Sequence, residues 1–245
     1  MSEKIQKILS NLGYGSRRYI EKKIFLGVVY INAVKVSIGD RFEYDNIKSI
    51  TINQKNYCIK FDPKRVLIYN KPIGEICTRK DEKNRNTVFK NLPKLLFSRW
   101  ITVGRLDYRT SGLLLFTNYG ELAYRLMHPN YMIIREYLVN VFGIFSKKKM
   151  NILNKGIFLD NSISRFHSIK YLSGSKNNKW FSVSLFQGKN KEVRRLWKYI
   201  GIEVNQLIRI RYGDVILPKS LRVKDFLEVN FSLIKKIFRS VSLKY

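Results

Sequence analysis

Cysteine and histidine are nearly missing from this 245-residue chain, which holds two of each: Cys58 and Cys77, His128 and His167. Two cysteines make neither a disulfide framework nor a zinc site. Two lone histidines leave no cluster of metal ligands. Long apolar runs are missing as well. No stretch of eighteen apolar residues occurs, so no membrane span is expected. The polar start, MSEK, leads into an amphipathic pattern rather than the apolar core of a signal peptide. A cytoplasmic location is the expectation. Acids are scarce: 18 Asp and Glu stand against 47 Lys and Arg, a net charge of +29. Part of that excess fits the Lys, Asn and Ile richness of an AT-rich coding sequence. The shortage of acids goes further and points to a polyanionic partner, nucleic acid before membrane.

What is present is enough apolar material, fifteen Tyr and fifteen Phe included, for one sizeable domain plus a small one. Ile5, Ile8, Leu9 and Leu12 share a helical face. Gly13-Tyr14-Gly15 breaks that helix. Ser16 is placed to cap a second one over Arg17 to Leu26, stopped by Gly27. That helix has a basic side made of Arg17, Arg18, Lys22 and Lys23. Short strands follow at Val28–Ile31 and Val34–Val36, then at Arg41–Tyr44 and Ile50–Ile52. Residues 53–65 are polar and basic and read as a linker.

From residue 66 onward strands outnumber helices and do not alternate with them. That excludes a doubly wound sheet and predicts an α+β fold. Strands are expected at 66–69, 101–103, 113–117, 135–141, 162–172, 179–186 and 204–210. Helices are expected at 87–92, 120–128, 147–154, 192–200 and in the tail after 232. His128 ends its helix, where a cation is favoured. The stretch GRLDYRTSGLLLFTNYG, Gly104 to Gly120, places Asp107 between Arg105 and Arg109 in a loop joining two strands. Such loops commonly carry catalytic groups, and flanking arginines favour an ionised carboxylate. A loop-closing salt bridge is the plainer use of the same residues.

The whole string decides between them. Gly104-Arg105-Leu106-Asp107, Thr110-Ser111-Gly112-Leu113, Phe116-Thr117-Asn118 and Gly120 resemble the signature of the pseudouridine synthases, in their RsuA/RluB branch. REYLV (135–139) and GKNKEVRRLW (188–197) resemble two further family motifs, and NKPIG (70–74) its turn near the cleft. The GSRR and IGDR strings resemble the RNA-binding module first described in the ribosomal protein "S-four". The resemblance implies such a module over 1–61 and a catalytic domain over 62–245. It also implies a mixed, largely antiparallel central sheet with flanking helices. It implies isomerisation of a uridine in ribosomal RNA, without metal, nucleotide or redox cofactor, by a monomer. Asp107 would start the chemistry, and Tyr137 would pack on the target base and assist proton transfer. Arg194 would hold Asp107 by a charge-assisted bond. Arg105 would hold the flipped nucleotide, and Lys71 would touch RNA. Arg17, Arg18, Lys22 and Lys23 would meet phosphates. NKEVRRLW, RLMHP and REY lean toward a large-subunit (23S) substrate. A small-subunit (16S) enzyme and a non-catalytic assembly factor are the alternatives.

Overall fold

The computed structural model describes residues 2–245 except Cys58 and Phe61. The described residues form two compact units. One takes in the chain up to Lys64 together with Pro93–Ile101 and Asn118–Gly120. The other holds Arg65–Leu92, Thr102–Thr117 and Glu121–Tyr245.

In the first unit β1 (Glu3–Lys4) runs into α1 (Ile5–Asn11), and α2 (Arg17–Phe25) follows. Ser16 caps α2 by accepting the N–H of Tyr19 at 3.1 Å, which satisfies one of the donors a helix start leaves open. β2 (Val29–Ile31), β3 (Val34–Lys35), β5 (Ile50–Ile52) and β6 (Lys55–Tyr57) form a sheet in the order β3-β2-β5-β6, while β4 (Arg41–Phe42) pairs with β1. Ile5, Ile8, Leu9, Ile20 and Ile24 pack on Val29, Ile31, Ile50 and Ile52 as one core. The turns Asn32-Ala33 (φ 51° and 64°) and Asn53-Gln54 (φ 51° and 63°) hold both central residues at positive φ. That is the primed hairpin geometry whose twist suits flanking strands. The linker expected over 53–65 therefore contains a strand, β6. Asn-Gln is a poor hairpin signal, and it is the pairing of β5 with β6 that holds Gln54 in a left-handed conformation. Asp62 accepts the N–H groups of Leu96 and Phe97 and the Ser98 hydroxyl, and Arg99 bonds Ser10. These bonds tie Pro93–Ile101 into this unit.

Apart from the first residues of β8 and α3, which fall in the first unit, the second unit contains β7 (Val66–Lys71), β8 (Ile101–Val103), β9 (Ser111–Thr117), α3 (Gly120–Met127), β10 (Arg135–Phe142), α4 (Lys147–Lys155), β11 (Ile157–Leu159), β12 (Ser162–Ser164), β13 (Ser168–Gly174), β14 (Asn178–Leu185), α5 (Glu192–Tyr199), β15 (Glu203–Tyr212), β16 (Val215–Ile216), β17 (Phe226–Glu228) and α6 (Phe231–Ser240). The main sheet runs β13-β14-β10-β15-β9-β7-β17, with β16 beside β15 and β8 beside β9. Along that path every pairing is antiparallel except β9 with β15, where Ser111 faces Ile208 and Gly112 faces Arg209. The fold is α+β with a mixed, largely antiparallel sheet.

Strands β7 and β9 are central and buried on both faces, which is why they read as unbroken apolar runs rather than alternating ones. Leu113, Leu114, Leu115 and Phe116 are all fully buried, each contributing about 1.5–3 kcal/mol. The expected helix over 87–92 is absent: Thr87 instead forms a parallel bridge with Ile76, and turns follow. The expected strand over 162–172 is two strands in different sheets, β12 and β13. At the end of α3, His128 accepts the N–H of Asn130 through Nδ1 and caps the next turn.

Candidate active site

Asp107 sits in the loop between β8 and β9, and the backbone of that loop is tied down carbonyl by carbonyl. The Leu106 oxygen accepts from the Cys77 thiol at 3.4 Å. The Asp107 oxygen accepts the Thr110 N–H at 3.0 Å and the Lys71 ammonium at 3.3 Å. The Tyr108 oxygen accepts the Gly74 N–H at 3.0 Å. The Arg109 oxygen accepts from Arg194 at 2.9 Å, and the Thr110 oxygen from Lys71 at 2.9 Å. Five consecutive carbonyls thus have donors, so the loop has little freedom to exchange partners. The Asp107 carboxylate is the exception: among the described residues it makes no hydrogen bond and no ion pair. It lines a cavity of about 610 Å³ together with Arg105, Tyr108, Cys77, Arg85 and Asn190.

Two glycines make this geometry possible. Gly74, at φ +91°, turns the chain after Pro72 so that its N–H reaches Tyr108. Gly112, at φ +96°, lies against β15 so closely that a Cβ would sit 2.3 Å from the Arg209 oxygen. The parallel joint of β9 and β15 therefore requires glycine there.

Lys71 is fully buried at the end of β7, and its ammonium donates to the oxygens of Pro72, Asp107 and Thr110. All three of its protons are spent on the protein, where the family resemblance implied a contact to RNA. Burial pulls its pKa below the ordinary value, while Cys77, Glu75 and Asp107 oppose that pull and Arg209 adds to it. A lysine among carbonyls is the joint that locks NKPIG to the Asp107 loop.

Arg194 on α5 donates to the oxygens of Val204 at 2.7 Å and Arg109 at 2.9 Å. Arg195, one position on, turns outward and pairs with Asp160 at 2.5 Å. Adjacent helical positions diverge by about 100°, and Arg194 is the one that faces the loop. The direct Asp107–Arg194 bond expected from the motifs is not formed here, because the guanidinium is occupied by two carbonyls. Burial lowers the Arg194 pKa; the Asp107 charge raises it again and Arg109 lowers it.

Tyr137 is buried in β10, opposite Arg209 of β15, which in turn faces Gly112. Its hydroxyl has no hydrogen-bond partner among the described residues. Arg105 is exposed at the cavity. In the first unit Arg17, Arg18 and Lys22 are exposed, and Lys23 donates to Asn53.

Arg209 is the residue that sequence reasoning passed over. It is 2% exposed, its Nε donates to the Leu113 oxygen at 2.7 Å, and its guanidinium lies 5.0 Å from the Tyr212 ring. The alternation Leu207, Arg209 on one strand face was the available signal. Cys77 gave none, since its thiol contact comes from a residue 29 positions away.

Comparison with known proteins agrees with this geometry. The model of a family described as RNA pseudouridylate synthase matches residues 65–198, β7 to the end of α5. Along its full length the chain is 49% identical to ribosomal large subunit pseudouridine synthase B of Buchnera aphidicola subsp. Acyrthosiphon pisum (strain APS), covering 99% of that protein. It is 47% identical, over 95% of its length, to the protein of the same name from Salmonella typhi, of which it covers 81%. A crystal structure described as pseudouridylate synthase shares the fold, with a TM-score of 0.65 over 96% of this chain and 99% of that one, at 22% identity. With the match spanning the Asp107 loop and the relatives spanning the chain, it belongs to the RNA pseudouridylate synthase family.

Proposed function

We propose that this chain isomerises a uridine of large-subunit (23S) ribosomal RNA to pseudouridine, with Asp107 as the carboxylate that starts the reaction. The observation that carries this is an unspent carboxylate on a loop whose neighbouring carbonyls are all bonded. A side chain held in place yet free of protein partners is pre-arranged for a reacting group. The bond from ribose C1′ to uracil N1 breaks, the ring turns, and C1′ rejoins at C5. The C5 proton leaves and N1 gains one, so no atoms are exchanged with a second substrate.

In this reading Tyr137 meets the turned base and assists departure of the C5 proton. Arg194 fixes the loop through the Arg109 carbonyl and brings a positive charge to the Asp107 loop. Arg105 braces the extruded nucleotide, whose unstacking costs about a few kcal/mol. Residues 1–61 act as the RNA-binding module, with Arg17, Arg18, Lys22 and Lys23 toward phosphates. Residues 62–245 act as the catalytic domain. The choice of the large subunit rests on relatives 47–49% identical along nearly their whole length. The protein works as a monomer in the cytoplasm. No helix among the described residues is long and apolar enough to cross a membrane.

Mapping pseudouridine in ribosomal RNA from cells with and without the protein tests this. Loss of a large-subunit site is expected. Loss confined to small-subunit RNA would move the substrate, and an unchanged map would overturn the function.

A further inference from the structure

A second cavity, of about 290 Å³, opens in the second unit beside the turn that follows β14. Asn190 of that turn lines the Asp107 cavity, whereas Gln187 and Glu192 line this one. Gln187 and Asn190 are three residues apart, at most about 11 Å of chain. A few nucleotides of single strand cover such a distance. No residue of this cavity has a part in the isomerisation described above.

Its wall has an aromatic platform, a cation and a carboxylate. The His167 ring lies against Phe186 with centroids 4.5 Å apart and planes inclined by 55°, so Phe186 props the exposed His167 ring, whose face is the one a flat base can stack on. Arg165 is exposed beside them. Glu192 is 5% exposed and accepts the backbone N–H of Lys189 at 3.0 Å through Oε2. Its Oε1 has no protein donor among the described residues. Lys189 does not neutralise it by contact, since its ammonium goes to the hydroxyls of Ser162 and Ser164. A carboxylate repels phosphate, so this wall is not built for the RNA backbone. It is matched to an N–H donor carried by a flat ring, and glutamate accepts from the amino group of cytosine in direct base readout. Stacking platforms of this kind hold single-stranded bases.

We propose that this cavity holds an unpaired base bearing an exocyclic amino group, on the same RNA strand as the target uridine, stacked on His167 and bonded through that amino group to Glu192. The identity of the RNA rests on the function proposed above, whereas the preference for an amino-bearing base comes from the cavity alone. The test uses the full chain and two fluorescein-labelled probes, pentacytidylate and pentauridylate. They carry equal charge and differ at ring position 4, amino against carbonyl, so the ratio of their Kd values cancels phosphate attraction.

Glu192→Gln can turn an amide N–H toward a uracil carbonyl. It is expected to shift that ratio about fivefold or more in favour of pentauridylate. Glu203→Gln, an exposed acid that lines neither cavity, should leave the ratio within twofold of the unmodified chain. His167→Ala replaces an exposed side chain and should weaken pentacytidylate binding about fivefold or more. A ratio unmoved by Glu192→Gln overturns the assignment. Should that variant fail to fold, an unchanged pentacytidylate affinity in His167→Ala overturns it instead. Failure of the isomerase reading registers separately, in the pseudouridine map.

Discussion

At the scale of single residues, the site separates groups that hold the loop from the carboxylate proposed to react. Lys71, Cys77 and Arg194 all bond backbone carbonyls of the loop, whereas the Asp107 carboxylate is unspent among the described residues. Asp107→Asn is nearly isosteric and disturbs none of those backbone bonds. It should abolish tritium release from RNA labelled at uracil C5 while leaving RNA affinity within a few-fold. Turnover by the purified Asn variant, with deamidation excluded by mass spectrometry, would falsify the catalytic assignment. Lys71→Met keeps the chain length and removes the donor, leaving the oxygens of Pro72 and Thr110 without partners. Each orphaned buried carbonyl costs about 1–3 kcal/mol, offset in part by removal of a buried charge. A lower melting temperature and reduced single-turnover rate are expected, with RNA affinity little changed. A melting temperature equal to that of the unsubstituted chain would show that the loop does not depend on this ammonium. The loop that carries Asp107 between two strands was legible in the sequence because its motif is long and contiguous. The role of Lys71 was not, because an ammonium's partners are set by a turn and a loop 36 to 39 residues away.

At the scale of elements, the joint between β9 and β15 is the place where an otherwise antiparallel sheet becomes parallel. Gly112→Ala would press a methyl group against the Arg209 backbone at 2.3 Å and strain a φ of +96°. Neither partner can yield, since both belong to central strands. Failure to fold, or a large drop in melting temperature, is the expected result, and an unaltered melt would contradict the close approach. The loop over residues 79–86 has a different latch. Arg85 bonds both oxygens of Asp81 and also donates its backbone N–H, holding the Asp81 pKa down at about 2. A folded-state pKa below the ordinary carboxylate value of 3.8 means that this latch is fully made above that value. It is lost as pH falls through about 2. The Arg85 amide resonance should hold steady from neutral pH down to ordinary carboxylate titration and move below it. In Asp81→Asn it should be shifted already at pH 7. A wild-type resonance moving at ordinary carboxylate pH would show that the latch does not form. Helices such as α2 and α5 were readable because caps and periodicity are local. Strand β6 and the 87–92 segment were not. Gln54 adopts a left-handed turn that only strand pairing stabilises, and Thr87 is held by a bridge to Ile76.

At the scale of the whole molecule, the +29 charge and the exposed Arg17 and Arg18 ask how affinity and chemistry divide along the chain. The charge was legible in composition, but composition cannot say which cations face outward. Burial now separates them: Lys71 and Arg209 are structural cations inside the catalytic unit, whereas Arg17, Arg18 and Lys22 stand in solvent. Phosphate contacts supply affinity without sequence information. Each one lost should lower the salt slope of binding by roughly 0.7 to 0.9. Replacing Arg17 and Arg18 together with Ala removes two such contacts and no core atom. RNA binding should weaken and its salt dependence flatten by roughly 1.4 to 1.8, twice the single-contact value. The single-turnover rate at saturating enzyme should stay near that of the unsubstituted chain, because Asp107, Tyr137 and Arg194 are untouched. If α2 instead contributes to chemistry, the double variant loses rate at saturation while the salt slope holds. Both quantities come from one titration series on a single RNA fragment. A slope that does not move, together with a lost saturated rate, would remove the phosphate-binding role assigned to this helix.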